Sequence, residues 1–78
     1  MNLPKIILIK LHSLGLYGSQ SISIYALRAG IKRHSRKEFE DCIIDLFMNE
    51  LITVSYSSGE PRISLNPKKS DEIKKFIK

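Results

Sequence analysis

The sequence predicts an α+β domain with a three-helix core, a C-terminal β-hairpin and a short tail helix. Three observations carry this. Apolar residues recur at helical spacing over residues 3–14 and again over 36–49. The segment Leu51-Ile52-Thr53-Val54-Ser55-Tyr56-Ser57 is rich in β-branched residues and alternates with period two. Between the second and third helices, Gly30-Ile31-Lys32-Arg33-His34-Ser35-Arg36-Lys37-Glu38 carries a helix stop at one end and a helix start at the other.

The first helix is expected to begin at an Asn2 cap, with Pro4 in the first turn, where its missing N–H costs little. It runs to about Leu14 and stops at Gly15. Leu3, Ile7, Leu11 and Leu14 form its core stripe. Leu8 and Ile9 point elsewhere, so this helix is apolar on more than one face. Either the C-terminal segment covers that extra face or a second subunit does.

Leu16 to Ile22 holds a turn and one brief strand. Ser23 caps a short second helix, about Ile24 to Ala29, and Ile22 sits where it can staple to Leu27. Gly30 can end this helix in a left-handed conformation, with Ile31 closing the end by an apolar contact. Ser35 and Glu38 have the spacing of a capping box, so a third helix starts there and runs from about Arg36 to Asn49. Phe39, Cys42, Ile43 and Leu46 fall on its core face, with Phe47 at the edge. The opposite stripe is Lys37, Asp41, Ile44 and Met48. After Leu51–Ser57, the run Ser58-Gly59-Glu60-Pro61 signals a turn, and Arg62-Ile63-Ser64-Leu65 alternates again. Ile52, Val54, Ile63 and Leu65 can share the buried face of the resulting hairpin. Asn66-Pro67 ends it. The tail helix starts at Pro67 or at a Ser70 cap, with Ile73, Phe76 and Ile77 on one edge and lysines on the other. Residues 1–66 are therefore one domain and residues 67–78 a tail.

A 78-residue chain buries only about 60% of its unfolded surface, so the core is small. Apolar residues are 42% and charged residues 27%, which excludes a disordered polyelectrolyte. Cys42 is the lone cysteine, so no intrachain disulfide forms and a reducing, cytoplasmic home is expected. The apolar run Ile6 to Leu11 is interrupted by Lys10, too short for a membrane span, and without a small-residue cleavage site.

The net charge is +5, but its distribution says more. Residues 28–37 carry five cations and no acid, whereas residues 38–50 carry five acids and no cation. Positive charge gathered at a helix N-terminus suits a polyanion, because exposed N–H groups there already favour phosphate. A solvated basic surface is the plainer reading of the same cluster. No catalytic constellation stands out. His12, His34 and Cys42 lack zinc spacing, and no serine lies in a nucleophile-elbow context. Neither a metal nor another cofactor is expected, and enzyme activity is not.

The order of elements resembles the winged helix-turn-helix family over residues 3–66. The pieces that carry the resemblance are the capped start Ser35-Arg36-Lys37-Glu38, the exit Leu46-Phe47-Met48-Asn49-Glu50-Leu51-Ile52-Thr53-Val54, and the hairpin Val54 to Ile63. The chain departs from the family pattern at Glu50, where a glycine often stands, with Asn49 able to take the left-handed position. The resemblance implies DNA binding, with the third helix in the major groove and the hairpin as the wing along the backbone. By position, Arg36, Lys37, Glu40, Asp41 and Ile44 would face base edges. Lys32, Arg33 and His34 would meet phosphates, as would Tyr56 and Arg62 in the wing. The body of that helix is acidic, and i,i+4 pairs Arg36–Glu40 and Lys37–Asp41 would neutralise charge along it. Tyr17 and Tyr25 are expected in core or rim packing.

The function expected is that of a small, sequence-specific double-stranded-DNA-binding protein, a transcriptional regulator acting as a homodimer. Helix one, the tail helix or both would form the dimer interface. The competing expectation is a winged-helix protein-interaction module in a replication, repair or transcription assembly. The exposed-side pair Ile44 and Met48 favours that one. Single-stranded nucleic acid binding through the basic turn and Tyr56 is a third.

Overall fold

In a computed structural model the chain folds as helices packed with one antiparallel sheet. Residues 3–31 and 34–77 are described. The expected Asn2 cap and the cations Lys32 and Arg33 lie outside them. The elements are α1 (Leu3–Ser13), β1 (Ile22–Ser23), α2 (Ile24–Ala29), α3 (Arg36–Met48), β2 (Ile52–Ser57), β3 (Glu60–Leu65) and α4 (Ser70–Phe76). The three strands form one antiparallel sheet in the order β1-β3-β2.

One core joins the helices to the sheet. Ile7, Leu8 and Leu11 of α1 are buried with Phe39, Ile43 and Leu46 of α3. Ile52, Ile63 and Leu65 close it from the hairpin, Leu27 from α2 and Ile73 from α4. The α1 stripe differs from the expected one. Leu8 is fully buried and Leu14 is exposed, because α1 lies between α3 and the sheet and uses two faces. Of the two residues expected off the stripe, only Ile9 remains outside. Cys42 is buried with this core, as expected, and burial pushes its thiol up to about 11.

The helix ends follow different rules. α1 ends in a Schellman motif, with Gly15 at φ 68°: Leu16 N–H donates to Leu11 O (3.1 Å) and Gly15 N–H to His12 O (3.0 Å). α3 ends the same way. Leu51 N–H donates to Leu46 O (3.1 Å), Glu50 N–H donates to Phe47 O (3.0 Å), and Glu50 itself takes the left-handed position at φ 61°. Asn49, the other residue able to take that position, has a negative φ of −87°. Gly30 ends α2 in the ordinary right-handed conformation, φ −83°, correcting the left-handed stop read from the sequence. The buried Ile31 directs the exit instead.

The hairpin turn is tighter than the sequence suggested. Ser58 and Gly59 alone form it, at φ 55° and 76°, both left-handed as a two-residue type I′ turn requires. Pro61 therefore lies inside β3, opposite Tyr56. Its missing N–H costs no ladder bond: counting from the closing pair Ser57–Glu60, position 61 is non-hydrogen-bonded toward β2. On its other side β1 already stops at Ser23, opposite Arg62. Upstream, Leu16 to Gly18 runs along the other end of β3, with Leu65 N–H donating to Leu16 O (2.7 Å) and Gly18 N–H to Leu65 O (3.1 Å). The buried Ser64 hydroxyl donates to Gly18 O (2.9 Å).

After β3, Asn66 caps a single 3-10 turn, Pro67–Lys69, its side chain accepting from Lys68 N–H (3.0 Å). Ser70 is the first residue of α4 rather than its cap.

Candidate nucleic-acid interface

The N-terminus of α3 is built as its sequence dictates. The Ser35 hydroxyl accepts from Glu38 N–H (3.1 Å), and a Glu38 carboxylate oxygen accepts from Ser35 N–H (3.2 Å). His34 Nδ1 lies 3.5 Å from the other Glu38 oxygen. The Ser35 backbone bond first, then its side chain and His34, hold the Glu38 carboxyl below its ordinary range. His34 thus supports the cap as well as standing at the turn.

Arg36 and Lys37 are exposed in the first turn. Arg36 Nε donates to Glu40 Oε1 at 2.9 Å, the expected i,i+4 pair. Lys37 and Asp41 make no such pair, so Lys37 keeps its charge for solvent or a ligand. Further along, the outward stripe holds as read: Asp41 is exposed, Ile44 is 58% and Met48 74% exposed.

The hairpin is fixed to the segment that leads into α2 by two clamps. The Ser23 hydroxyl, while accepting from Tyr25 N–H (3.2 Å), donates to Glu60 Oε1 (2.8 Å). Arg62 donates through Nε to Ser21 Oγ and through Nη2 to Ser21 O, both at 2.9 Å. Arg62 is half-buried and its guanidinium is braced against Ser21. Tyr56 at 76% exposure does project from the hairpin face next to α3.

Three side chains extend the surface beyond the sequence reading. Tyr25, expected in packing, is 62% exposed. It stands three residues before Arg28, so the two share the side of α2 that faces away from the buried Leu27. That i,i+3 relation was present in the sequence. Lys10 was not legible in this role: its side chain lies against Gly30, where an added Cβ would sit 3.5 Å from Lys10 Cε. An α1 cation thereby joins the basic turn. Tyr17 does pack, with its hydroxyl 3.0 Å from His12 Nδ1, and burial raises its pKa.

Tyr25, Arg28, Arg36, Ile44 and Tyr56 surround a groove of about 470 Å³ between α2, α3 and the hairpin. A second groove of about 360 Å³ continues from Tyr25 and Arg28 toward Ile31 and His34. The described surface around α3 therefore combines cations, exposed aromatics and an apolar floor. No group of three or more histidine, cysteine or acidic side chains is arranged to hold a metal ion among the described residues. No helix among them is long and apolar enough to cross a membrane.

No protein-family model matches the sequence, and no curated protein is similar to it in sequence. Among solved structures, the fold is similar to that of SSV1 F-93, with a TM-score of 0.71 at 18% sequence identity. The similarity covers 99% of this chain and 84% of that one, so it extends through the tail helix as well as the winged-helix core.

Proposed function

We propose that this chain is a sequence-specific double-stranded-DNA-binding protein, a small cytoplasmic transcriptional regulator that acts as a homodimer and catalyses no reaction. The observation that carries the reading is the exposed, capped N-terminal turn of α3 beside an exposed hairpin. Arg36, Lys37 and His34 lie at that turn, and Lys10 lies against Gly30 at the end of α2. The winged-helix architecture supports it, since such a fold presents one helix to the major groove and a hairpin to the backbone. Lys32 and Arg33 belong to the same basic turn by sequence. Exposed Ile9 on α1 and Phe76 on α4 supply apolar surface for a second copy.

The test is a titration with random duplex DNA at two salt concentrations. If about four to six phosphates are neutralised per protomer, log affinity falls against log salt with a slope of roughly −4 to −5. Affinity that is unchanged between about 50 and 200 mM salt rejects DNA as the partner. The dimer is tested by Ile9→Lys, which should leave a folded monomer that binds duplex more weakly. A wild-type chain that sediments as a monomer at tens of micromolar rejects the homodimer.

One observation favours the protein-interaction reading: Ile44 and Met48 are mostly exposed on the outward stripe of α3. On that reading the double change Ile44→Asp, Met48→Asp abolishes complex formation while Arg36→Ala has little effect.

A further inference from the structure

We propose that the groove between α2, α3 and the hairpin binds a planar aromatic ring bearing an anionic group, and that this occupant competes with duplex DNA. The binding site stands on its own geometry; the competition rests on the DNA-binding reading above.

The floor of the groove is apolar, formed by Phe39, Ile43, Val54 and Ile63. Its walls are Tyr25 and Tyr56, both largely exposed although apolar surface lies beside them. Neither tyrosine hydroxyl makes a hydrogen bond to a described residue. The volume of about 470 Å³ falls in the size range of small-molecule sites. Two tyrosine rings flanking an apolar floor favour a flat ring, because offset or edge contacts add to the area they bury.

The charge balance selects the rest of the ligand. Three charged groups line the groove: Arg28, Arg36 and Glu40. Arg36 and Glu40 are bonded to each other at 2.9 Å. Arg28 makes no hydrogen bond or ion pair with any described residue, and it walls both this groove and the smaller one beside it. The groove therefore holds one uncompensated guanidinium, whose planar fork matches a carboxylate or a phosphate. A ring on the apolar floor with its anion at Arg28 satisfies both halves of the site. An aromatic carboxylate and a mononucleotide share this chemistry. Arg36, Ile44 and Tyr56 line the groove and belong to the proposed DNA-facing surface, so the two ligands would exclude one another.

The experiment is a titration of isotope-labelled full-length protein followed by amide chemical shifts. The probes are benzoate, thymidine 5′-monophosphate, cyclohexanecarboxylate, which keeps the charge without the aromatic ring, and phenol, which keeps the ring without the charge. Saturable shifts centred on Tyr25, Arg28 and Tyr56, with Kd below about 1 mM for benzoate or the nucleotide, are expected. The stronger of those two identifies the source. Cyclohexanecarboxylate and phenol should bind at least about tenfold more weakly, and Arg28→Gln should raise Kd by about tenfold or more. Arg28 is exposed and away from the core, so this variant folds, and its unchanged spectrum outside the groove checks that. Lack of saturation to about 10 mM, equal binding of cyclohexanecarboxylate, or an unchanged Kd in Arg28→Gln overturns the proposal. Duplex affinity is then measured with and without saturating probe; an unchanged value overturns the competition. Duplex binding without probe binding sinks this inference and leaves the DNA reading standing; probe binding without duplex binding rejects the DNA reading and the competition with it, and leaves the binding site standing.

Discussion

Glu50 occupies a backbone position that glycine fits better, so Glu50→Gly should stabilise the protein. The residue sits at the left-handed position of the Schellman motif that ends α3, at φ 61°. Its conformation is imposed from both sides. Leu51 N–H is bonded back to Leu46 O, and Glu50 O accepts from Asn66 Nδ2 at 2.8 Å. The side chain is exposed and forms no ion pair with a described residue, so its removal loses no such contact. A left-handed residue with a Cβ costs about 1–2 kcal/mol. Glycine in turn frees the unfolded chain, at a cost of about 0.5–1 kcal/mol. The net gain is about 0.5–1 kcal/mol, worth a rise of roughly 2–8 °C in Tm for a domain of this length. Removing a negative charge from a helix C-terminus acts in the same direction, and Glu50→Gln measures that part alone. Thermal unfolding followed by circular dichroism, at one ionic strength, reads all three proteins. Glu50→Gly melting at or below Glu50→Gln would refute the backbone argument. The end of α1, where Gly15 fills the equivalent position, gives the converse control: Gly15→Ala should destabilise.

Phe39→Ala should cost about 3–5 kcal/mol, because the ring is almost fully buried in the core cluster; an unchanged denaturation midpoint would show that the core is elsewhere. Glu38 gives a pH dependence whose sign is fixed by its lowered pKa. A carboxyl with a depressed folded value contributes stability above its unfolded value of 4.5, lost as pH falls through the folded value. Stability measured from pH 6 down to about 3 should therefore fall less steeply in Glu38→Gln than in wild type; parallel curves would remove the capping box as the cause. Cys42, buried and with its thiol raised to about 11, should resist a thiol-specific disulfide reagent at pH 8 and react at once in guanidinium. Rapid reaction of the native protein would place the thiol at the surface. Arg36→Ala should cost about 1–3 kcal/mol on a preferred duplex and less on random sequence; equal losses on both would show that α3 does not read bases.

Local signals in the sequence determined the elements and their ends wherever side chain and backbone act within one turn. The Ser35–Glu38 capping box, the Ser23 cap and the Gly15 stop each need only neighbours a few residues away, and each stands where the sequence places it, whereas β3 starts two residues early at Glu60 and buries Ser64 along with Ile63 and Leu65. The inward face of α3 and the outward stripe of Ile44 and Met48 followed from helical period alone. What the sequence could not decide was anything set by a neighbour distant in the chain. Leu8 is core and Leu14 is not because α1 is enclosed on two sides by elements that arrive later in sequence. Arg62 is drawn inward by Ser21, 41 residues away, and Lys10 is carried to the basic turn by the packing of α1. Glu50 takes the left-handed position over Asn49 because the exit from α3 must meet β2 and Asn66 in one fixed register. Tyr25, Arg28 and Tyr56 face a common groove only once α2 and the hairpin meet over α3. Short-range hydrogen bonding wrote the elements, whereas burial of one shared core settled which of their faces remain open to a ligand.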